Sequence, residues 1–364
     1  MVVEQNLPSC VEMPVVRTFT LREILTFPKP KSLLPVLLSL PILSGQAAPI
    51  IPTDEGMTWS YHMLQEAGEG IRFSSQVQPE SEAKIEAIVA YRLAGKETID
   101  GKPLLKFEMH REGLVTNTDF VTVDERGINC RARLGVEGEM INLNPPQTIV
   151  AAPLEVGTAW DFEGKAGEAE VRQHYRVVGK EEVIVPAGKF NALHIYGEQT
   201  MPNRMTIDRW FVPGTGIVKD VTSTRSETGE LLRRISLELK TRPVVAARPE
   251  VKPAKKLAVG LSTDAIGGFT RAFRTDTPKI FARWQGHGLR AGTKIRAVWI
   301  AANLGDVAPK DYTIDEATAT ATVPDARGLF TLGRPDGGWA PGDYRVDFYL
   351  DDALTETVTL KIAK

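Results

Sequence analysis

The sequence predicts an all-β protein of antiparallel sheet in two folded units. Three observations predict this class: apolar and polar residues alternate with a period of two, turn sequences rich in glycine and proline separate the runs, and no long helical pattern occurs. Residues 183–239 show all of this most clearly. There Pro186-Ala187-Gly188-Lys189 and Pro213-Gly214-Thr215-Gly216 join a proline of preset φ to glycines that tolerate positive φ. Both predict turns of a hairpin meander.

Length and composition limit the classes of function. A chain of 364 residues is long for one domain, so two folded units with tails are expected. Charged residues make up 25%, the formal net charge is −2, and basic residues are scattered among acidic ones, which argues against a nucleic-acid partner. The cysteines are Cys10 and Cys130, and the first lies in a segment expected to be removed, so no intrachain disulfide is expected.

The N-terminal 47 residues resemble an export signal with an unusually long n-region. Lys29 and Lys31 precede residues 33–43, an apolar run well short of the ~20 residues that span a bilayer. Gly45 and Ala47 are small residues at positions −3 and −1 of a cleavage after Ala47. Gln46 stands where a lipid-attachment cysteine would be required. We therefore expect a periplasmic or secreted chain with no transmembrane span, and we expect translation to start downstream of Met1. The alternative is a buried helix of a cytoplasmic protein.

The first folded unit is expected over residues 53–242. Residues 59–63, 84–93, 105–109, 128–134 and 231–239 alternate as half-buried strands, and Asp100-Gly101 is typical of a tight hairpin. Residues 142–157 contain Pro145, Pro146 and Pro153 and are interpreted as a crossing loop. The strand pattern predicts antiparallel sheet with one wet face.

Three motifs carry a resemblance to a known family. They are LEVGTAW at 154–160, VPAGKF at 185–190 and RWFVPGTGIVK at 209–219. They resemble a family of largely uncharacterised exported bacterial proteins, similar in fold to the periplasmic lipoprotein carrier and its outer-membrane receptor. The resemblance implies a curved antiparallel half-barrel over a hydrophobic cavity. The chain departs from the carriers because no helical plug is evident, and no binding residue can be transferred.

A linker and a second unit follow. Residues 243–256 contain three prolines and little to bury, which predicts an extended spacer. In residues 257–364, short strands are expected at 280–284, 295–300, 317–323, 328–332, 344–350 and 355–362, with Asp351-Asp352 turning the last hairpin. The block FTLGRPDGGWAPGDY at 330–344 resembles immunoglobulin-like modules of bacterial exported proteins, so a β-sandwich with Trp339 packed at its end is expected.

One apolar file in the first unit is the candidate binding face. Aromatic, methionine and isoleucine side chains share it, and a curved sheet without a covering helix needs a ligand or partner on its concave side. The residues are Trp59, Tyr61, Phe107, Met109, Met205, Ile207 and Phe211. The alternative is that these side chains pack only against one another as a core.

Catalytic and metal chemistry are not predicted. No histidine has a second His or Cys at metal-ligand spacing, so neither a metal nor a cofactor is expected. His62, His110 and His174 fall on polar faces, and His194 is interpreted as a sheet-surface residue that has some chance of facing a cavity. Cys130 lies on an apolar file, which predicts a buried, inert thiol. Glu198, Asp208 and Asp220 lie on neighbouring strands, but carboxylates are ordinary on a wet face.

These observations favour an exported, non-enzymatic binding protein. Its first domain holds an apolar ligand or a lipoprotein-like partner, and its second domain serves as a contact or spacer module. The alternative is a structural or assembly module of the cell envelope without a small-molecule ligand. A hydrolase that uses the three carboxylates is a third, weaker hypothesis.

Overall fold

The structure is a computed structural model that describes residues 50–69, 84–246, 256–263 and 268–364. Its described residues form 21 β-strands and one short 3-10 helix, Gly305–Val307, so the all-β prediction is confirmed. The predicted export signal and most of the predicted linker lie outside the described residues. The two-residue strand β13 (Val244–Val245) falls within that predicted spacer and pairs with the start of the first strand.

The first twelve strands form one antiparallel sheet in which each strand pairs with the next along the chain. They are β1 (Met57–Ala67), β2 (Lys84–Ile99), β3 (Lys102–Arg111), β4 (Leu114–Asp124), β5 (Gly127–Leu134), β6 (Met140–Ala151), β7 (Ala159–Ala166), β8 (Ala169–Val185), β9 (Gly188–Met201), β10 (Arg204–Val212), β11 (Gly216–Arg225) and β12 (Leu231–Leu239).

This sheet is closed, so the expectation of an open half-barrel is wrong. Strand β12 pairs with β1 from Tyr61 opposite Leu239 to Ala67 opposite Arg233. The physical reason is that an open sheet would leave two edge strands with unpaired backbone groups, and pairing the last strand with the first satisfies both. We call the closed sheet the barrel and the space that it encloses the barrel interior.

The hairpin turns of the barrel agree with the sequence. Asp100 and Gly101 adopt positive φ angles of 49° and 72°, which allows the tight connection between β2 and β3. Gly214, with φ of 75°, lies in the turn between β10 and β11. The predicted turn at Pro186-Ala187 separates β8 from β9.

The predicted crossing loop at 142–157 is mostly strand β6, so that prediction is wrong. Pro145 and Pro146 lie where the β5–β6 register shifts, between the pairs Cys130 with Gln147 and Ala132 with Asn142. On its other side, β6 pairs with β7 only at Leu143 and Asn144. The two prolines therefore occupy positions where no ladder N–H is required, which is where a strand tolerates proline.

The C-terminal residues form two further sheets. One has the order β14 (Leu257–Ser262), β16 (Lys279–Gly286), β19 (Arg327–Gly333), and the other has the order β15 (Ala272–Arg274), β21 (Ala353–Ala363), β20 (Gly342–Leu350), β17 (Lys294–Asn303), β18 (Tyr312–Thr320). A shared apolar core lies between the sheets and includes Trp284, Phe330 and Phe348.

The packing of Trp339 and the last turn of the sandwich agree with the sequence-based predictions, whereas one strand begins earlier than predicted. Trp339 is buried in the core and donates its indole N–H to the Thr277 carbonyl at 2.6 Å, as expected for packing at the sandwich end. Asp351 has a φ of 53° in the turn before β21. The strand expected at 317–323 begins earlier, at Tyr312, and ends at Thr320. The immunoglobulin-like connectivity of the sandwich stays a prediction.

Candidate binding site in the barrel interior

The structure places the predicted apolar face on the inside of the barrel. Trp59, Tyr61, Phe107 and Met109 belong to one core cluster, in which the Trp59 and Phe107 rings lie 5.8 Å apart. Ile207 and Phe211 belong to a second cluster, which Phe107 also contacts. Met205 follows the same alternation on β10, and its sulfur accepts a hydrogen bond from Gln199 Nε2 at 3.3 Å. All seven residues therefore line one enclosed space.

The seven residues divide into a buried and a partly exposed set. Trp59, Tyr61, Ile207 and Phe211 are buried. The other three, Phe107, Met109 and Met205, are partly exposed although they point into a closed barrel. The packing of the chain therefore does not fully cover these three side chains.

Part of the interior is filled by the chain itself. The far end of the β8–β9 hairpin contributes Val183, Val185 and Phe190 to the cluster that contains Trp59. The backbone N–H of Ala187 donates to the Leu239 carbonyl at 2.9 Å, which joins that hairpin to the end of β12. The idea that nothing in the chain covers this face is therefore wrong for Trp59 and its neighbours, because barrel closure and this hairpin cover them.

Two ion pairs lie in the interior on opposite walls. Arg133 of β5 donates from Nε to Asp119 Oδ1 on β4 at 2.8 Å, and Arg209 of β10 donates from Nε to Asp220 Oδ2 on β11 at 2.8 Å. In a ring of twelve strands, β4–β5 and β10–β11 are six strands apart. The side chains of Arg133 and Asp119 are 34% and 23% exposed, whereas those of Arg209 and Asp220 are 15% and 11% exposed. Solvent therefore reaches one pair more than the other.

Tyr61, Tyr91 and Tyr175 lie near these pairs. Burial raises the pKa of each phenol above its ordinary value. For Tyr91, the carboxylates Asp119 and Asp220 raise the pKa further, whereas the two guanidinium groups lower it. The Tyr91 phenol thus lies within electrostatic reach of the charges on both walls. We call the two ion pairs and the three tyrosines the central polar cluster.

A ladder of glutamines connects the two walls. Arg133 donates to Gln147 Oε1 at 2.8 Å, Gln147 to Gln173 Oε1 at 2.5 Å, and Gln173 to Gln199 Oε1 at 2.7 Å. Tyr175 also donates to Gln173 Oε1, at 3.1 Å. The ladder runs from β5 over β6 and β8 to β9, which is the neighbour of β10, so hydrogen bonds satisfy the buried amides of this wall.

Sequence reasoning missed the ladder and both ion pairs. A usable signal exists, because Gln173 stands between Val171 and Tyr175 at an inward position of β8, and Gln147 and Gln199 lie 26 residues before and after it. Polar residues on an otherwise apolar file indicate a wet or hydrogen-bonded interior. Arg209 and Asp220 give the same signal on β10 and β11.

The histidines lie outside this site. His194 Nε2 lies 2.8 Å from Asp208 Oδ1 and its Nδ1 lies 3.1 Å from Glu181 Oε1, while its ring stacks on Trp210 at 4.7 Å. His194 therefore sits on the outer face, as expected for a sheet-surface residue. His174 is exposed and the other three are partly exposed, and each lies within 4 Å of a carboxylate: His62 with Glu86, His110 with Glu108, His174 with Asp161 and His287 with Asp325.

The remaining chemical candidates do not converge. Cys130 is buried, and burial raises the pKa of its thiol to about 12. Asp220 lies in the interior, whereas Asp208 contacts His194 outside and Glu198 accepts a hydrogen bond from the Tyr196 hydroxyl at 2.7 Å. The three carboxylates therefore do not form a shared acid and base pair. Across the described ranges, no set of three or more His, Cys, Asp and Glu side chains is placed to hold a metal ion.

Comparisons with known proteins give little. No family model matches the chain. No curated protein matches it either. A solved structure from Bacteroides fragilis NCTC 9343, described as "a putative exported protein with YMCC-like fold", is 16% identical, and the match covers 54% of this chain and 100% of that chain with a TM-score of 0.29. At that score a common fold is not shown. The described part of the chain holds no helix long and apolar enough to cross a membrane.

Proposed function

We propose that the chain is an exported, non-enzymatic binding protein that holds a small amphiphilic ligand in the barrel interior. Phe107, Met109 and Met205 carry this proposal, because they are partly exposed inside a closed barrel. A ring of eight strands is about filled by its own side chains, and a ring of twelve encloses more space. Ile235 and Leu237 of β12 are also partly buried, inward-facing apolar residues.

The interior suits an amphiphile better than a wholly apolar molecule. Its apolar side chains surround the central polar cluster, and a purely apolar ligand would strip water from Arg133 and Asp119 without replacing their hydrogen bonds, which costs free energy. We therefore propose an amphiphilic ligand in place of the apolar ligand that the sequence predicted. Export rests on the signal-like N-terminus, and the sandwich is proposed to position the barrel through contacts with an envelope protein.

Displacement of a neutral fluorescent probe tests the proposal. The full chain is titrated with N-phenylnaphthylamine, which becomes fluorescent in apolar sites, and two variants on β10 are compared. Met205→Lys places a charge in the interior, and Thr206→Lys places the same charge on the outer face of the adjacent position. We expect Met205→Lys to weaken probe binding about tenfold, equivalent to about 1.4 kcal/mol, and Thr206→Lys to leave it unchanged. Equal effects of the two variants, or no binding by the unaltered chain, would contradict the proposal.

A second candidate is a structural or assembly module of the envelope that has no small-molecule ligand. The burial of Trp59, Tyr61, Ile207 and Phe211 by the chain's own packing favours it. In that case the probe does not bind, and a pull-down from envelope extract recovers a protein partner in stoichiometric amount. Probe binding that responds only to the interior lysine would argue against this candidate.

A further inference from the structure

We propose that the ligand carries a neutral head group rich in hydrogen-bond acceptors, such as an acyl ester, and that this head lies in the central polar cluster. The inference rests on the proposed function and names the ligand class. It comes from counting the hydrogen-bond donors and acceptors that the cluster leaves unused.

The carboxylate oxygens of the cluster each have a donor. Asp119 accepts from Arg133 at Oδ1 and from Asn117 at Oδ2, at 2.8 and 2.9 Å. Asp220 accepts from Arg209 at Oδ2 and from Thr222 at Oδ1, at 2.8 and 3.1 Å. Every oxygen of the two carboxylates thus already has a donor, so a ligand gains little by offering further donors.

Donors are left over. Arg209 uses Nε for Asp220 and Nη1 for the Ile149 carbonyl at 3.2 Å, and among the described residues its Nη2 has no partner. The Tyr91 hydroxyl also has no hydrogen-bond partner within the described ranges, and Tyr91 is only partly buried. A guanidinium group has five N–H donors and a phenol has one, so both offer donors to an incoming acceptor.

The charge balance decides between a neutral and an anionic head. Arg133 and Arg209 are each paired with a carboxylate at 2.8 Å, so the cluster holds two positive and two negative charges. An anion would lose its hydration in the barrel interior and meet no net positive charge in return. A neutral ester or amide has a smaller desolvation cost and accepts the same hydrogen bonds. The geometry therefore favours carbonyl and hydroxyl oxygens over a carboxylate.

Two lipids with the same chain test this. Bound N-phenylnaphthylamine is displaced from the full chain by monododecanoylglycerol or by dodecanoate, at a pH where the acid is ionised and at concentrations below micelle formation. We expect the glycerol ester to displace the probe at about tenfold lower concentration than the carboxylate. If dodecanoate is equal or better, or if neither lipid displaces a probe that binds, the inference is overturned while the proposed function stands. If the probe itself does not bind, the proposed function fails.

A conservative variant tests the position of the head group. Tyr91→Phe removes only the hydroxyl and should weaken binding of the glycerol ester by roughly fivefold, the size of one hydrogen bond. Tyr196→Phe is the matched control, because the Tyr196 hydroxyl bonds Glu198 on the outer face. Equal ester affinity in the Tyr91→Phe variant and the unaltered chain would refute the placement.

Discussion

The two interior ion pairs have the same chemistry but different burial, and this predicts different costs when each is broken. Arg209→Met removes the partner of Asp220, whose side chain is 11% exposed in the unaltered chain. Arg133→Met removes the partner of Asp119, whose side chain is 23% exposed. Removing one partner of a buried pair costs about 3–5 kcal/mol, and a solvent-exposed pair is worth about 1 kcal/mol or less.

The magnitudes follow from the contacts that remain. Asp220 keeps the Thr222 hydroxyl at 3.1 Å but loses the one charged partner that it has among the described residues, so we expect Arg209→Met to lower the free energy of unfolding by about 3 kcal/mol. Asp119 keeps the Asn117 amide and has more access to solvent, so Arg133→Met should cost about 1 kcal/mol. With a urea slope of about 3 kcal/mol/M, the midpoints fall by about 1 M and about 0.3 M.

Urea unfolding of the full chain, followed by circular dichroism and tryptophan fluorescence, measures both. The double variant Arg209→Met/Asp220→Leu is the control, because replacing a whole buried pair by apolar groups is close to neutral. It should recover most of the stability that Arg209→Met loses. If Arg133→Met is as damaging as Arg209→Met, or if the double variant is worse than the single one, the reasoning from burial is wrong.

Three further predictions concern other parts of the barrel. Burial disfavours the Glu108 carboxylate, but a hydrogen bond from His110 and the charge of Lys106 outweigh burial and lower its pKa from 4.5 to about 2. The ionised carboxylate therefore contributes on the order of 3 kcal/mol to the free energy of unfolding above pH 4.5, and this contribution is lost as pH falls towards 2. Unfolding measured over an acid titration should show this loss in the unaltered chain but not in Glu108→Gln. Gly164→Ala should destabilise the barrel by about 1–3 kcal/mol and lower the thermal midpoint, because the added Cβ would lie 2.5 Å from a main-chain oxygen of β6. Gly179→Ala is the control, because its Cβ would meet no atom within 4 Å and should not lower the thermal midpoint. In a Cys10→Ser variant, Cys130 should react with a thiol reagent at pH 8 only after unfolding, since burial raises its pKa to about 12, and rapid labelling of this folded variant would contradict its placement.

Local patterns predicted the strands well and the closure poorly. Alternation along Trp59, Tyr61 and Met63 depends on backbone geometry that every strand shares, so the inward set is correct. Whether β12 meets β1 depends on the summed twist and stagger of twelve strands, which no single stretch encodes. The prolines of β6 led to the wrong prediction of a loop for a related reason. Only the pairing with the neighbouring strands shows that no N–H is required at these positions.

The candidate site was half predictable. The apolar file follows from periodicity, but the ion pairs join residues 14 and 11 positions apart on adjacent strands, and their partners are fixed only by register. Arg209 belongs to the RWFVPGTGIVK motif, which indicated only the fold, and Asp220 was expected on the wet face or, in the third hypothesis, as a catalytic carboxylate. Arg209 has the parity of Ile207 and Phe211 on β10, and Asp220 has the parity of buried Val218 on β11, so alternation places both in the interior.

We expect the central polar cluster to keep space open inside a barrel of this width. Apolar side chains on facing walls would gain free energy by collapsing together, whereas paired charges at Arg133 and Arg209 hold water and hydrogen bonds that a dry contact would remove. Each pair as a whole therefore adds little net stability, and we expect its contribution to be to keep the interior open. The double variant Arg209→Met/Asp220→Leu separates the two effects, because it should keep the stability of the unaltered chain yet bind N-phenylnaphthylamine with fewer sites or not at all. Retained probe binding in that variant would show that the pair contributes nothing to keeping the interior open.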